Sequence, residues 1–529
     1  MILSFEGAVR TVTGSCFVLE TPQGLLMVDR GLYQGNRRLR ERNWADPPCD
    51  LSQVRWLLLT HAHIDHSGLI PRLRHHGFQG EIWATEATTD LCRIMLADSG
   101  HIQEEDAKFD EKRWRKRGRE GPRPRPLYTI ADAEAIMASF RPVRYDERVT
   151  LGDGVRCCFR DGGHILGSAI IELWMEDGSS DTKLVFSGDL GQPRRPILRD
   201  PALIEEADVV VIESTYGNRR HEDVEARPER LLGVLEPALQ QGGHVLIPSF
   251  AVERTQELIY TLNDLVEGGE LRPVPTFIDS PLAVNATRVF RKHPECYDAA
   301  ANQRLARGDD PFQFPLLKLT HSVAESKRIN EIQEPCVIIS ASGMCTAGRV
   351  RHHLRNHLGH QQDVVLFVGF QAEGTLGRKL RDGAEYVKLF GERRRVRAQV
   401  AALDGFSAHA DQEGLLKWLQ AFERPPQAVF VVHGEEQASL TFAHHVADRL
   451  RVPAYVPVLG EAVDLADVEA VAATAREQYQ LAAPKITAEA EPAAVAIGEA
   501  PEEADVQGEE EEFGLWEALA REVEGLLGG

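Results

Sequence analysis

One short segment, residues 60–68, carries the strongest chemical signal in the chain, with the sequence Thr-His-Ala-His-Ile-Asp-His-Ser-Gly. Its imidazoles and carboxylate are too dense for a packed core, because such groups are costly to bury without partners. They offer the nitrogen and oxygen ligands that suit zinc and other borderline divalent metals. The alternative interpretation is a solvated histidine-rich loop. The predicted ligands are His61, His63, Asp65 and His66.

Further candidate side chains occur where short apolar runs begin or end later in the chain. Such runs predict buried strands, and polar residues at one edge of a sheet lie close together. With the histidine-rich segment they exceed what one tetrahedral zinc binds, so they predict two ions that share a carboxylate. A paired site activates water and stabilises both oxygens of an in-line displacement, which is chemistry for phosphodiester hydrolysis. The candidates are His164, Asp189, Glu213, His409 and His433.

Asp29 ends another apolar run, directly before Arg30 and Gly31. A carboxylate where a buried strand meets a loop has two interpretations. It either caps the turn or orients a metal-binding histidine through the other ring nitrogen. The residues alone leave both open.

The predicted strands and helices give the chain a coarse organisation. Residues 1–60 are predicted to form short strands separated by turns, and strands alternate with helices after the histidine-rich segment. Residues 217–395 show the alternation typical of a parallel α/β sheet. Strands return over residues 396–432, and the Ala/Glu/Pro-rich composition after residue 481 predicts disorder.

Two loops that follow successive predicted strands are rich in small and hydroxyl residues, and each ends in an arginine. Loops of this kind after parallel strands suit anion binding by backbone N–H groups and a helix N-terminus. Either loop alone is a weak signal, but the pair predicts a phosphate-contacting face. The predicted contacts are Ser342, Gly343, Arg349, Thr375 and Arg378.

The net charge of −21 does not exclude a polyanionic substrate, because the charge is unevenly distributed. Residues 486–529 hold 13 acidic residues and one basic residue, so the rest of the chain carries only −9. Residues 112–125 hold eight basic residues and one acidic residue. They predict a surface loop that is either solvated or contacts phosphate. In the tail, residues 513–527 predict an amphipathic helix that either packs on the body or docks a partner.

The cysteines and the hydropathy pattern bear on the compartment. The eight cysteines form no C-x-x-C pair, which argues against a thiolate metal site or a disulfide framework. The chain has no long apolar run and no signal-like N-terminus. We therefore expect a cytoplasmic protein without a membrane span.

Seven further histidines fall on predicted polar helix faces. We interpret them as ordinary surface residues, since the chemistry predicted above does not need them. They are at positions 75, 76, 352, 353, 357, 444 and 445.

Taken together, these motifs resemble the metallo-β-lactamase fold with an inserted β-CASP domain. Within that family the chain is most similar to RNA-processing nucleases related to the cleavage and polyadenylation endonuclease. The resemblance covers residues 1–465, and the H-x-H-x-D-H motif, Phe-Ser-Ala-His409 and Val-His433-Gly-Glu carry much of it. It implies an α/β fold: an αββα sandwich and an inserted parallel sheet flanked by helices. The implied domains are 1–212 and 396–480 for the sandwich and 213–395 for the insert. The acidic tail, 481–529, lies outside the resemblance.

The resemblance also implies roles for the motif residues and two zinc ions, which manganese can replace. His409 would be the general acid for the leaving 3′ oxygen, oriented by Glu213, and Asp65 would belong to the catalytic group. Asp29 matches an aspartate that supports a metal ligand. The implied ligands of one ion are His61, His63, His164 and Asp189. Those of the other are Asp65, His66, Asp189 and His433.

The implied function is a zinc-dependent ribonuclease, endonucleolytic or exonucleolytic, that leaves a 5′-phosphate and a 3′-hydroxyl. Histidine at position 433 favours RNA, because DNA-repair members of the family tend to have an apolar residue there. The alternatives are a DNA nuclease of the same family, a small-molecule metallo-hydrolase and a non-catalytic RNA-binding scaffold. The large insert argues against the small-molecule enzyme, and the complete ligand set argues against the scaffold. The expected partner is single-stranded RNA; a homodimer and a protein partner for the tail are further expectations.

Overall fold

The structure is a computed structural model. It describes residues 1–466 and 473, apart from residues 117, 120, 178–179, 222–225, 370, 372–373 and 404–405. The predicted acidic tail and its amphipathic helix lie outside the described residues.

The strands of the described chain are short, as the brief apolar runs of the sequence predict. In chain order they are β1 (Ile2–Phe5), β2 (Phe17–Thr21), β3 (Gly24–Val28), β4 (Val54–Leu58), β5 (Glu81–Thr85), β6 (Phe140–Val143), β7 (Arg148–Gly152), β8 (Val155–Asp161), β9 (Ala169–Asp177), β10 (Ser180–Phe186), β11 (Val209–Glu213), β12 (Val245–Pro248), β13 (Thr276–Ile278), β14 (Leu317–Leu319), β15 (Val337–Ser340), β16 (Val364–Phe367), β17 (Tyr386–Leu389), β18 (Glu392–Arg395), β19 (Gln399–Ala402), β20 (Ala428–Val432), β21 (Ala454–Tyr455) and β22 (Glu461–Asp464).

The α-helices vary more in length, from four residues to 31. They are α1 (Arg37–Glu41), α2 (Ile64–Ser67), α3 (Glu86–Lys116), α4 (Ile130–Ile136), α5 (Arg227–Gln240), α6 (Arg254–Glu267), α7 (Pro281–Lys292), α8 (Ala299–Ala306), α9 (Val323–Ile329), α10 (Val350–His357), α11 (Leu376–Arg381), α12 (Gln412–Gln420) and α13 (Glu436–His445).

The described chain divides into two compact units. The first unit comprises Met1–Pro193, Arg199–Arg220 and the chain from His409 onward, and the second comprises Arg194–Leu198 and His221–Ala408. The sequence placed the inserted domain at residues 213–395. The second unit extends further toward the C-terminus because β19 pairs in parallel with β16 of its sheet.

Two seven-stranded sheets form the first unit, in the orders β22-β1-β2-β3-β4-β5-β6 and β21-β20-β11-β10-β9-β8-β7. Apolar side chains from both sheets form one core, in which Phe5 packs against Phe17 and Phe430. On its other face the second sheet packs against apolar residues of α12 and α13, including Leu415 and Phe442. The unit is therefore a layered sandwich, which confirms the predicted fold class.

A six-stranded parallel sheet forms the centre of the second unit, in the order β14-β13-β15-β12-β16-β19. Its central strands are fully buried, as expected for a parallel sheet covered by helices. On one face, Leu246 and Ile338 pack with Leu354 of α10. The hairpin β17–β18 follows α11 and was missed in the sequence, because its strands are rich in exposed charged residues.

The basic segment at residues 112–125 differs from its prediction. Lys112 to Lys116 form the last residues of the long helix α3 rather than a loop. Glu111 forms ion pairs with Arg115 and Arg123. The second pair holds the segment that follows α3 against the end of this helix. Alternating charges over several turns support this long exposed helix end.

The sequence predictions about membrane spans and cysteines concern the whole chain. Among the residues that the structure describes, no helix is both long and apolar enough to cross a membrane. All eight cysteines are free.

Candidate metal centre

The histidine-rich segment forms a tight turn after β4 and then helix α2. His63 directly precedes α2, which carries Asp65 and His66. Backbone hydrogen bonds fix the turn, since Ser15 N donates to Asp65 O over 2.8 Å. Gly31 lies so close that a Cβ atom there would be 1.6 Å from Asp65 O, so only glycine fits this position. The neighbouring strands thus hold the segment in one conformation.

A first cluster of ligand atoms joins the turn to two strand ends. His63 Nδ1 lies 3.1 Å from His61 Nε2 and 3.2 Å from His164 Nε2. Asp189 Oδ2 lies 3.5 Å from both Nε2 atoms. Around a tetrahedral zinc with bonds of about 2.0–2.1 Å, ligand atoms are about 3.3 Å apart. The spacing of this cluster is therefore that of a metal site.

A second cluster lies on the other side of the Asp189 carboxylate. His66 Nε2 lies 3.1 Å from His433 Nε2, and Asp65 Oδ2 lies 3.7 Å from the same His433 atom. Asp189 Oδ1 lies 3.4 Å from His66 Nε2, whereas Oδ2 faces the first cluster. The structure thus brings all seven predicted ligands together, with Asp189 between the two clusters.

The charge states of His61, His63 and Asp189 in the first cluster suit metal binding. Burial lowers the pKa of His63 to about 4 and lowers the pKa of His61 well below its usual value, so both rings are neutral at pH 7. Burial opposes ionisation of Asp189, but the nearby histidines, led by His433, hold its pKa well below the ordinary range. Neutral imidazoles and an ionised carboxylate are the forms that bind divalent metals.

Asp29 orients His66 from behind. Its Oδ2 lies 2.7 Å from His66 Nδ1, so Nδ1 donates to Asp29 and Nε2 is the nitrogen that faces the second cluster. Thr60 holds the carboxylate in place, because its backbone N–H and its hydroxyl donate to the two oxygens over 2.8 and 2.9 Å. Of the two interpretations left open for Asp29, the structure favours the orienting one.

His409 and Glu213 form a pair next to the ligand clusters. His409 Nδ1 lies 3.1 and 3.2 Å from the two oxygens of Glu213. Glu213 is buried and also accepts from Leu190 N over 2.7 Å. The His409 ring is 20% exposed and lies 4.4 Å from the His164 ring, measured between centroids. A partly exposed imidazole, held by a buried carboxylate, thus lies beside the clusters.

Sequence reasoning missed two hydroxyl groups that position these ligands. The hydroxyl of Thr60 contacts Asp29, and that of Thr215 lies 3.2 Å from His433 Nδ1. Thr60 directly precedes His61, and Thr215 follows the end of β11 by two positions. That proximity was the available signal, although threonine is too common at strand ends to be singled out by it.

The predicted phosphate contacts all lie in the second unit, where they have different partners. The Ser342–Gly343 loop contacts the other loop, because Gln371 Nε2 donates to Gly343 O over 3.0 Å. Thr375 caps α11 by accepting from Arg378 N, and the guanidinium of Arg378 pairs with Asp382 over 2.8 Å.

Arg349 does not match its prediction. Its guanidinium is buried, donates to Asp279 Oδ1 over 2.8 Å, and donates to His321 O over 2.9 Å. This arrangement argues against Arg349 as a phosphate contact, because its charge is already neutralised inside the unit.

Two histidines interpreted as surface residues are buried instead. His353 Nε2 lies 2.7 Å from Asp279 Oδ2, and His357 Nδ1 lies 2.8 Å from Asp363 Oδ2. The surface interpretation was wrong for both, because their carboxylate partners lie outside the helix: Asp279 is 74 positions from His353, and Asp363 directly precedes β16.

Comparison with known families agrees with the fold and the site. The model of the metallo-beta-lactamase superfamily matches residues 9–144, and that of the Beta-Casp domain matches residues 255–380. The model described as the Zn-dependent metallo-hydrolase RNA specificity domain matches residues 393–457. The class defined by fold and site is thus a metallo-hydrolase with a β-CASP domain.

Individual relatives narrow the class. A ribonuclease of Thermus thermophilus is 35% identical over 84% of this chain and 95% of its own length. An RNase J-like protein of Methanocaldococcus jannaschii is 30% identical over 87% of this chain and 99% of its own. The transcription termination factor FttA of the same organism is 30% identical over 87% of this chain and 71% of its own.

The chain therefore belongs to the β-CASP nuclease family of the metallo-β-lactamase superfamily, whose members are metal-dependent hydrolases of phosphodiester bonds. This confirms the family suggested by the sequence motifs. The narrower assignment to the branch of the cleavage and polyadenylation endonuclease stays a prediction.

Proposed function

We propose that this chain is a zinc-dependent ribonuclease that works by a two-metal mechanism and leaves a 5′-phosphate and a 3′-hydroxyl. The observation that carries the proposal is the pair of ligand clusters sharing Asp189, beside the His409–Glu213 pair. The match to an RNA specificity domain and the relatives named as ribonucleases support RNA as the substrate.

Each cluster would hold one zinc ion, and Asp189 would contact both. The donor set fits this assignment, since imidazole nitrogens and carboxylate oxygens are zinc ligands. Asp189 Oδ1 is buried and accepts no hydrogen bond from a described residue, which fits a ligand atom better than an ordinary buried carboxylate. When bound, a zinc pair supplies a water nucleophile at neutral pH and stabilises charge on the phosphate.

His409 would donate the proton that the leaving 3′ oxygen takes up. Glu213 accepts from Nδ1, so the proton given to the substrate would come from Nε2. Burial opposes protonation, but Glu213 and Asp189 raise the pKa of His409 to about 9, so the ring carries a proton at pH 7. Asp65 belongs to the catalytic group because its carboxylate is partly exposed, unlike that of Asp189, and can accept a proton from water.

The residue at position 433 supports RNA over DNA. His433 Nε2 faces the second cluster, while the hydroxyl of Thr215 lies beside Nδ1. The histidine is thus positioned as a ligand, which fits the RNA-cleaving pattern of the family resemblance. Ser342, Gly343, Thr375 and Arg378 remain proposed phosphate contacts, and Arg349 is withdrawn.

A cleavage assay with the full chain tests the proposal. Single-stranded RNA and DNA of one sequence, each labelled at the 5′ or the 3′ end, are incubated with the zinc-loaded protein. We expect RNA to be cleaved to 5′-phosphate and 3′-hydroxyl products, and Asp189→Asn to abolish the cleavage. The size ladder from the two labels separates internal cutting from digestion from an end.

Two outcomes would contradict the proposal. Intact RNA with zinc or manganese supplied, together with hydrolysis of a thioester or lactam, would identify a small-molecule hydrolase. Preferential cleavage of DNA would identify a DNA nuclease of the same family. As a control, Asp50→Asn changes an exposed carboxylate of the first unit and should leave cleavage unchanged.

A further inference from the structure

A separate cluster of histidines surrounds one carboxylate in the second unit. Asp363 Oδ2 lies 2.8 Å from His357 Nδ1 and 3.2 Å from His360 Nδ1. Its Oδ1 lies 3.4 Å from His244 Nδ1. Asp363 is 1% exposed and His357 is 7% exposed, whereas His360 is 56% exposed. Three imidazole nitrogens of the same type thus converge on a buried carboxylate that the ribonuclease proposal does not use.

The hydrogen bonding of His244 makes this convergence unusual. Its Nε2 lies 3.2 Å from the backbone oxygen of Ile332, which can only accept, so Nε2 carries the ring proton. In a neutral ring Nδ1 then holds a lone pair, and it faces Asp363 Oδ1, which is also an acceptor. Two facing acceptors are repulsive unless a cation or a second proton lies between them.

We propose that His244, His357, His360 and Asp363 bind a divalent transition metal such as zinc. Three imidazoles and one carboxylate form a four-ligand set of the kind that closes a structural zinc site. A histidine ligand ordinarily donates its other N–H to a carbonyl, as His244 does to Ile332. The ligand atoms of His244, His357 and Asp363 already lie within 4.8 Å of one another, and His360, on the exposed side, would supply the fourth ligand.

The positions of these residues give the site a structural role. His244 directly precedes β12, Asp363 directly precedes β16, and His357 ends α10. The two strands are paired from their first residues, with Val245 opposite Val364. A metal at this edge therefore ties two central strands and a helix end together, and its binding free energy adds to the stability of the unit.

The competing occupant is a second proton on His244. A hydrogen bond that His244 donates to Asp363 favours the charged ring and raises the pKa of His244 to about 10, so without metal the ring carries the second proton. A metal replaces that proton, so metal binding at this site releases protons. The metal content of the protein therefore distinguishes a bound metal from a second proton at this site.

The test counts metal in the full chain. Protein freed of metal is equilibrated with zinc, dialysed and analysed for metal per chain. We expect Asp363→Asn and His244→Gln each to hold one ion fewer than the wild type. His353→Gln is the matched control, because it breaks the neighbouring buried His–Asp pair with Asp279 and should keep the wild-type count.

A second measurement tests the proposal even if the variants of buried residues fail to fold. His360→Gln changes an exposed ring, so the fold should persist, and we expect at least a tenfold weaker affinity for the last ion bound. Cobalt bound at this site should give visible absorption that is lost in His360→Gln and kept in Asp189→Asn. Equal metal content and equal cobalt absorption in the wild type, His360→Gln and His244→Gln would overturn the proposal. This outcome is independent of RNA cleavage, which reports on the first unit.

Discussion

Glu213 and His409 are 196 positions apart in the chain, yet both carboxylate oxygens of Glu213 lie within 3.2 Å of His409 Nδ1. Glu213 ends β11, and Leu190 N and Thr215 N also donate to its carboxylate. The histidine is therefore held in one orientation by a carboxylate that is itself fixed. His409 is not among the proposed metal ligands, so the proposed proton donation and the proposed metal binding can be tested apart.

Replacing His409 should remove the proton donor and leave the metals in place. We expect His409→Asn to slow RNA cleavage by about 10²–10⁴-fold, the range typical of general acid catalysis. Single-turnover rates with labelled RNA give the loss, and metal analysis gives the ion count. Wild-type cleavage by His409→Asn, or loss of an ion with it, would rule out this separate role.

Glu213→Gln tests how Glu213 acts. Glutamine can still accept a hydrogen bond from His409, but the charge that raises the pKa of His409 is gone. We expect cleavage by this variant to fall off at a lower pH than cleavage by the wild type, because the ring loses its proton earlier. The pH–rate profile measures this shift, and an unchanged profile would contradict it.

The orienting role of Asp29 predicts a loss of metal affinity without a change of ligands. In Asp29→Asn, the neutral amide would accept less strongly from His66 Nδ1 and would no longer fix the tautomer that presents Nε2. Changes of this kind typically cost about 10–100-fold in metal affinity or activity. Zinc titration of Asp29→Asn against a competing chelator measures the effect, with Asp50→Asn as the control. Equal zinc affinities of Asp29→Asn and the wild type would show that Asp29 only caps the turn.

How far the sequence predicts this molecule depends on the range of the interactions. His61, His63, Asp65 and His66 lie in one turn, so their common purpose is visible in the local sequence. Asp189 and His433 were found because strand ends of one sheet meet at one edge. The fold class was implied by the family resemblance that these motifs carry.

The errors arose where distant segments meet. The helix pattern around His353 shows only a polar face, because its partner Asp279 lies 74 positions earlier. Arg349 follows a Ser–Gly loop like a phosphate ligand, yet it neutralises the same aspartate. The partners of a buried carboxylate come together only in the tertiary structure, so a short stretch of sequence does not reveal the pairing.

Because Asp189 is shared, replacing it should affect both ions, whereas replacing a ligand of one cluster should affect only one. Asp189 faces both clusters, whereas His63 contacts only the first. We expect Asp189→Asn to lower zinc occupancy of both positions and His63→Ala to lower it by one ion. A strong chelator should abolish cleavage by the wild type, and added zinc or manganese should restore it. Loss of one ion in both variants would contradict the sharing of Asp189.

The buried Asp279 cluster predicts a pH-dependent contribution to stability. Asp279 accepts from Arg349, His353 and Ser326 over 2.6–2.8 Å. Burial opposes ionisation of Asp279, but these partners outweigh it and lower its pKa from 3.8. A lowered pKa means that the stabilisation is complete above the unfolded-state value and is lost as the pH falls through the folded-state value.

Asp279→Asn should therefore be least stable, relative to the wild type, at neutral pH. Removing one partner of a buried ionic cluster costs about 3–5 kcal/mol, so we expect a lower Tm at pH 7. The difference in Tm should narrow as the pH is lowered below 3.8, because the wild-type carboxylate then begins to take up a proton. Metal loss at low pH affects both proteins and cancels in the comparison. Ser326→Ala removes a hydrogen bond without a charge, and its Tm difference should stay nearly constant with pH. A constant difference for Asp279→Asn as well would show that the charge of Asp279 does not stabilise the unit.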